Sequence, residues 1–349
     1  MNRRFYVSLL AFVLTLTATV AFVIGHSTGT TAASTNAALS ALPASDFVIS
    51  IDVQRALSES LPAILSSNPA LLAKFNAHLE EFERKTGINP RVFDSIAVGG
   101  TLRPTVAASR RDPSNVLIAR GHFKASELID TAMASARKEC QFEKEEQQYE
   151  GRTIFLISSV RSLKNSTGSD GSTSSRNKFA VTALDSNSIA AGSPESVRAA
   201  IDASMGRNRV DDELVRLALQ SPNAVVGFSG KIPQRLTDQS SSHGSDNLFT
   251  KYVDGVRAFY GSFDVNGSDA ESSVVVRFES MEQARDISEA INSVKLLASL
   301  GINHIAGSSP RHDALAAALK GLSITRDGTE LRIDARIPQA SLTPLIRMR

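Results

Sequence analysis

Hydrophobic residues along this chain fall into short runs separated by polar loops. Runs that are apolar throughout, or that alternate with period two, predict β-strands. They lie at 47–53, 95–102, 115–123, 153–160, 179–184 and 188–191, and again at 224–232, 258–265, 273–278 and 322–337. Runs with a period of 3.6 predict helices. These lie at 69–85, 214–219, 281–299 and 313–319, with two more that begin near Ser126 and Ser193.

Turn residues indicate how the strands pair. Asn266-Gly267 and Asp327-Gly328 stand between alternating strands. Tight turns of this kind imply antiparallel pairing. The order of the elements therefore predicts an α+β fold class, with antiparallel strands and with helices packed on one face of each sheet.

The pattern also repeats along the chain. Residues 47–53, followed by Gln-Arg-Ala-Leu, are echoed by residues 224–232, followed by Pro-Gln-Arg-Leu. A strand pair and a helix come next in both copies. We therefore predict two related units, residues 43–220 and a degenerate copy at 221–349, and leave open whether they share one sheet. A duplicated unit indicates a scaffold rather than a catalyst.

The first 32 residues have the pattern of an export segment. Asn2-Arg3-Arg4 is basic, and the twenty residues Phe5–Ile24 carry no charge. This is typical of a secretory signal and is also about long enough to span a bilayer. Residues 1–32 are thus predicted to be a signal peptide or a membrane anchor, and residues 33–42 a flexible tether. We expect an exported protein, either periplasmic or attached to the cytoplasmic membrane by its N-terminus.

Charge and cysteine content narrow the function classes. The formal net charge is +2, and both excess charges are Arg3 and Arg4, so the rest of the chain is balanced. This balance gives no broad basic surface for nucleic acid. Cys140 is the single cysteine, which excludes an intramolecular disulfide, and its acidic neighbours are not those of a reactive thiol.

Four short segments carry a family resemblance. They are Ala41-Leu-Pro-Ala-Ser-Asp46, Val116-Leu-Ile-Ala119, Tyr149-Glu-Gly-Arg-Thr-Ile154 and Ile189-Ala-Ala-Gly-Ser-Pro-Glu-Ser-Val-Arg-Ala-Ala-Ile-Asp202. In this order they resemble a family of uncharacterised bacterial envelope proteins. The resemblance, mainly over residues 41–220, implies a repeated α+β unit behind an export signal. That family has no established activity, so the resemblance implies no site residue.

Ser229 lies in the sequence that comes nearest to a catalytic motif. A nucleophile elbow requires Gly-x-Ser-x-Gly, whereas Gly227-Phe-Ser-Gly230 has Lys231 in place of the last glycine. Ser229 also falls inside a predicted strand. We therefore interpret it as a strand residue.

The spacing of the histidines along the sequence does not predict a metal site. His78 has Glu81 three positions further along its helix, but nothing completes a set of three or four ligands. His304 and His312 flank a turn and could meet, without an acidic residue placed beside both. Solvated histidines are the preferred interpretation.

The charged clusters are also more simply explained by exposure. The acidic ones, at 80–83 and 143–146, stand among basic residues, as on a solvated helix face. Arg103, Arg110 and Arg111 could bind an anion, but an exposed loop is the simpler interpretation. Free N–H groups at the helix start near Ser193 could do the same, although Ser193 is better placed as an N-cap.

No catalytic, cofactor-binding or metal-binding residue is therefore predicted. The leading hypothesis is an exported envelope protein of unknown function that acts as a non-enzymatic interaction or binding module, with an unknown protein or lipid partner. The alternative is a periplasmic carrier of a lipid or small apolar ligand, because many strand positions are apolar on successive residues. An envelope hydrolase is the third hypothesis.

Overall fold

The fold is seen in a computed structural model that describes residues 31–102, 115–139, 142–159, 178–233, 255–266, 269–304 and 310–342. Several predicted features lie outside these ranges: the export segment, Cys140, the loop arginines at 103, 110 and 111, and the Ser-rich loops at 165–176 and 237–247. None of the helices inside them is both long and apolar enough to cross a membrane.

Strands and helices are mixed throughout the described residues, which confirms the α+β class. The strands are β1 Phe47–Asp52, β2 Phe93–Gly100, β3 Val116–Gly121, β4 Phe142–Tyr149, β5 Arg152–Ser159, β6 Lys178–Asp185, β7 Ser188–Gly192, β8 Val226–Lys231, β9 Val256–Asn266, β10 Asp269–Phe278, β11 Leu322–Asp327 and β12 Glu330–Pro338. The helices are α1 Thr31–Ser40, α2 Val53–Arg55, α3 Leu61–Leu65, α4 Pro69–Thr86, α5 Ala125–Glu139, α6 Pro194–Ser204, α7 Asp212–Ala218, α8 Met281–His304, α9 Pro310–Lys320 and α10 Gln339–Leu342. A π-helical turn at Ala56–Ser60 joins α2 to α3, and a 3₁₀ turn at Pro90–Val92 precedes β2.

The described strands form one continuous antiparallel sheet, which answers the question that the sequence left open. Their order is β11-β12-β10-β9-β8-β1-β2-β3-β7-β6-β5-β4. Strands from residues 221–349 make up one half, and strands from residues 43–220 make up the other. The halves meet where β1 pairs with β8, with Phe47 opposite Gly230 and Ile51 opposite Val226.

The two halves have corresponding connections. In each, three consecutive strands form a meander, β1-β2-β3 in the first half and β8-β9-β10 in the second. Helices follow, and the last strand of the half returns to pair with the third strand of the meander: β7 pairs with β3, and β12 pairs with β10. The first half has two more strands than the second.

Apolar cores lie on both faces of the middle of the sheet. Successive residues of a strand point to opposite faces. Val48 belongs to a core with α1, α6 and α7, on what we call face two, whereas Ile51 belongs to a core with the segment from α2 to α4, on face one. The expectation of helices on one face of the sheet is therefore incorrect for this region. Strands that are apolar on successive residues are those buried on both faces.

Helices also cover face one in the second half of the sheet. Ala284, Ile287 and Ile291 of α8 pack on Val276 and Ile333 of β10 and β12. On face two, the described helices extend only as far as α7, which contacts β1, β8 and β9. Beyond α7, face two of β10 and β12 carries mostly polar side chains, as on a solvated antiparallel sheet.

The segment at 33–42 is not the flexible tether that its composition predicted. It lies mostly in α1, and Ala38, Leu39 and Leu42 are buried in the face-two core. A tether was predicted because the segment is rich in small and hydroxyl residues. Its three buried apolar residues nevertheless have the spacing of a helix. Burial of these side chains stabilises the helix more than its own propensity would.

The acidic cluster at 143–146 lies on a strand, not on a helix face. β4 forms the edge of the sheet beside β5, and its side chains alternate between half-buried and exposed. Lys144 lies 4.3 Å from the centre of the Phe155 ring, while Glu145 pairs with Lys178 at 2.6 Å. Charged side chains on an edge strand discourage pairing with a second chain.

Candidate functional site

Ser229 lies in β8 and is fully buried beneath α7. Its hydroxyl donates a hydrogen bond to the Leu214 carbonyl at 2.6 Å. A nucleophile must reach its substrate and must have a base within hydrogen-bonding distance. Ser229 instead attaches a helix to the sheet, as its interpretation as a strand residue implied.

The predicted metal candidates among the histidines lie on helices α4, α8 and α9. His78 is exposed on α4, and its neighbour Glu81 accepts a hydrogen bond from Lys85 at 2.6 Å, which holds the pKa of the Glu81 carboxyl below its usual value. His304 ends α8 and His312 lies near the start of α9, with the turn between them outside the described ranges. Among the described residues, no group of three His, Cys, Asp or Glu side chains is arranged to hold a metal ion.

The structure also reveals a histidine–carboxylate pair that sequence reasoning missed. The Nδ1 atom of His122 lies 2.7 Å from the Asp94 carboxylate. Asp94 sits where the pairing register of β2 and β3 shifts, and the shift brings it beside His122, which lies just beyond β3. The His122 ring is 81% exposed, so this pair lies at the surface rather than in a cleft.

The helix start near Ser193 is closed by its own cap. The Ser193 hydroxyl accepts the backbone N–H of Ser196 at 3.2 Å, and Pro194 occupies the first turn. This confirms the N-cap and uses one of the groups that an anion would need.

A chain of ion pairs joins α7 to the second half of the sheet. Lys231, at the end of β8, contacts Asp211 at 2.6 Å and Glu213 at 2.8 Å. Glu213 also contacts Arg277 of β10 at 3.3 Å, and Arg277 contacts Glu330 of β12 at 2.9 Å. Each charge has an opposite partner, so the chain is built to hold elements together rather than to take a ligand.

The same contacts shift the pKa values of the residues in this ion-pair chain. Hydrogen bonds from Lys231 are the main reason that the pKa values of Asp211 and Glu213 lie below their usual values. Burial acts to lower the pKa of Lys231, but its bonds to Asp211 and Glu213 outweigh burial and raise it. The Tyr260 hydroxyl donates to Glu330 at 3.0 Å, and burial followed by this bond raises its pKa.

The feature that most departs from ordinary packing is the second half of α8. Four large apolar side chains there are between 52% and 67% exposed: Val294, Leu296, Leu297 and Leu300. We call these four residues the α8 ridge. The three leucines lie on the side of the helix opposite Ile287 and Ile291, which pack on the sheet.

The first and second halves of α8 differ in chemistry. Glu282, Arg285 and Glu289 occupy the outer side of the first half, as expected for an amphipathic helix. After Glu289 the next acidic residue in the sequence is Asp313, and leucines take over the outer side. The second half of α8 is thus apolar on its outer side as well as toward the sheet, while Asn292, Lys295 and Ser299 lie on the flank between these two sides. The α8 ridge is therefore an exposed apolar surface.

Comparison with known proteins yields similar solved structures only. No family model and no curated protein matches the chain. Crystal form III of TP0453, a Treponema envelope protein, aligns with a TM-score of 0.44 and 10% identity, covering 88% of this chain and 98% of that one. Crystal forms I and IV give TM-scores of 0.41 and 0.42 at the same identity, over 88% of this chain and 95% of theirs. An identity of 10% is too low to transfer a function.

The α8 ridge was open to discovery from the sequence. The predicted helix at 281–299 places Ala284, Ile287, Ile291, Val294 and Ala298 on one apolar stripe, and Leu296 and Leu297 fall off that stripe. Val294 was predicted to face inward, but it is 65% exposed. Leucines on the polar side of an amphipathic pattern were the available signal.

Proposed function

We propose that this protein is an exported envelope protein that acts as a non-enzymatic interaction module, with the α8 ridge as its contact surface. The ridge is the single observation on which the proposal depends. Folded proteins seldom leave several large apolar side chains together in water, and a contiguous group of them marks an interaction site. The partner, a protein or a lipid, would bury these side chains.

Export is supported by the start of the sequence. A basic Asn2-Arg3-Arg4 precedes the uncharged run Phe5–Ile24, as in secretory signals and anchors. The corresponding connections of the two halves of the sheet also support the proposed duplication. A duplicated scaffold that presents a surface needs no catalytic residues.

The proposal of a non-enzymatic role is supported by the state of the candidate residues. Ser229 is buried and bonded to a backbone carbonyl, and the ion-pair chain at α7 is internally satisfied. Catalytic groups usually need access to a cleft and an unsatisfied or tuned partner.

The alternative, a carrier of an apolar ligand, receives less support. Such a protein needs an apolar cavity, as is usual for ligand sites. In the described residues the middle strands are packed on both faces, and the successive apolar positions that suggested a groove are used for these two cores.

The proposal is tested by photo-crosslinking of the full chain in its native envelope. A photoreactive phenylalanine analogue is placed at Leu297, and a control analogue is placed at Glu282, which faces outward on the same helix. We expect a reproducible adduct at position 297, identified as protein or lipid by mass spectrometry, that position 282 does not form.

A matched pair of triple variants separates contact from stability. One variant replaces Leu296, Leu297 and Leu300 by Ser; the control replaces Glu282, Arg285 and Glu289 by Ser. The first should abolish the adduct formed by an analogue at Val294, and the control should retain it. Equal adducts in both variants, or none at Leu297 in the parent chain, would show that the ridge is not a contact surface.

A further inference from the structure

A small concavity lies at the step where α7 ends and face two of the sheet becomes open. It has a volume of about 190 Å³. Leu217, Gln220 and Ser221 form one wall at the end of α7, and residues of β9, β10 and β12 form the floor and the other wall. The concavity therefore lies between a helix of the first half and strands of the second. Ligand sites are common at such junctions.

The chemistry of this concavity is polar and contains no carboxylate. Arg332 supplies a guanidinium, and Ser221, Ser262 and Ser273 supply hydroxyls. Arg332 Nη1 donates to the Ser273 hydroxyl at 3.0 Å, and the Ser221 and Ser262 hydroxyls share a bond of 3.0 Å. These bonds position the groups and leave further donors free, since a guanidinium carries five N–H groups.

Arg332 differs from its neighbours on the same face. Arg277 is paired with Glu330 and Glu213, and Arg336 is paired with Asp269 at 2.8 Å. Within the part of the chain that the structure describes, Arg332 has no carboxylate in ion-pair range. Arg332 is exposed at the rim of the concavity. Glu330, the nearby carboxylate on the same face, is already bonded to Tyr260 and Arg277. The Arg332 guanidinium can therefore meet a planar anion that accepts two N–H bonds.

We propose that this concavity binds a small hydroxylated carboxylate, with the carboxylate on Arg332 and ligand hydroxyls on the three serines. The volume limits the ligand to a small molecule. The hydroxyl groups around the guanidinium favour a sugar acid or hydroxy acid over a simple apolar acid, because each ligand hydroxyl can exchange bonds with a serine. This binding is separate from the α8 ridge, which belongs to the opposite face of the sheet.

The test is a titration of the isotope-labelled full chain, followed by the backbone amide signals of Ser262 and Ser273. Sodium glucuronate is the probe, glucose is the uncharged control, and sodium phosphate is the competing anion. We expect saturable shifts with glucuronate in the millimolar range, and no saturation with glucose. Arg332→Gln should weaken binding at least about tenfold, as expected when a charge-assisted pair is lost.

Two further variants keep the result decisive. Arg326→Gln removes an exposed arginine of β11 outside the concavity and should change the affinity less than about twofold. Ser262→Ala leaves the charge in place and should weaken glucuronate about threefold, roughly the loss of part of one neutral hydrogen bond. Unchanged binding by Arg332→Gln, equal binding of glucose, tighter binding of phosphate, or no shift with glucuronate would each overturn the proposal.

Discussion

Arg55 shows how one buried side chain joins the two halves of the molecule. It follows β1, and its Nη2 atom lies 3.1 Å from the Asp264 carboxylate on β9. The Arg55 side chain is 8% exposed and that of Asp264 is 26% exposed. The pair is costly to break, because the Asp264 carboxylate then loses the buried guanidinium that neutralises it.

Replacement of Arg55 by Met should therefore destabilise the whole protein. We expect the free energy of unfolding to fall by about 2–3 kcal/mol, below the range for fully buried pairs because Asp264 is partly solvated. Urea denaturation measures the change. Arg285→Met, which removes the exposed pairs of Arg285 with Asp286 and Glu289, is the control and should cost less than about 0.5 kcal/mol. Equal losses for the two variants would mean that the Arg55 pair contributes nothing particular.

At the scale of elements, the seating of α7 on β8 depends on a residue without a side chain. A Cβ atom added to Gly227 would lie 1.9 Å from the backbone oxygen of Ala218. The helix can approach this closely because Gly227 has no side chain. It is also held there by the Ser229 hydroxyl, two residues further along β8, which donates to the Leu214 carbonyl of α7. No sequence motif predicts either of these two contacts.

Gly227→Ala should push α7 off the sheet and lower the free energy of unfolding by about 2–4 kcal/mol, as overpacking against backbone does. Gly206→Ala is the matched control, because nothing lies within 4 Å of the added Cβ atom. The φ angle of Gly206 is +87°, so this variant tests backbone strain without a clash. It should cost about 1 kcal/mol through backbone strain alone. Thermal unfolding of both variants compares the two costs, and a smaller loss for Gly227→Ala would contradict the close packing of α7.

Local signals in the sequence predicted most elements, and they failed where the cause is not local. The helix α4 was predicted to end at Gly87, which has a φ of +70° and caps it. By contrast, β4 escaped prediction because its charges are explained only by its place at the sheet edge. The helix α1 escaped because Leu39 and Leu42 need a partner surface that the sequence does not display. The α8 ridge was missed for another reason: its leucines lie off the apolar stripe of the predicted helix, and this signal was not used.

At the scale of the whole molecule, the ion-pair chain at α7 makes the junction of the halves sensitive to pH. The pKa values of Asp211 and Glu213 are lowered in the folded protein. The two carboxylates therefore contribute fully to stability above their unfolded pKa values of about 4. This contribution is lost as the pH falls through their lower pKa values in the folded protein. The raised pKa of Lys231 contributes below about 10.4 and is lost only as the pH rises further.

Lys231→Met should therefore lower the free energy of unfolding by about 1 kcal/mol at pH 7, since these groups are a third to a half exposed. The difference from the parent chain should persist to pH 9 and shrink below about pH 4. Urea denaturation across this range measures it. Lys124→Met, at the exposed pair with Glu127, should show almost no difference at any pH. A Lys231→Met difference that grows in acid would contradict the assignment.

Gln339, near the end of the described chain, bonds to the C-terminal end of α3 in the first half, and we expect this contact to couple the unfolding of the two halves. The Gln339 side-chain amide donates to the carbonyls of Ala63 and Ile64, at 2.6 and 3.0 Å, and to the Ser66 hydroxyl at 2.9 Å. These acceptors lie at the C-terminal end of α3, where helix carbonyls need partners from outside the helix; the Ala63 carbonyl also accepts the Ser66 hydroxyl at 2.7 Å. Gln339→Leu should cost about 1–2 kcal/mol, because the two N–H groups that these three acceptors share are lost at a partly buried site. Hydrogen exchange should show equal losses of protection in β2 and in β10, since both share the face-one core. If protection fell only within residues 310–342, the halves would unfold separately and the continuous sheet would not be a single cooperative structure.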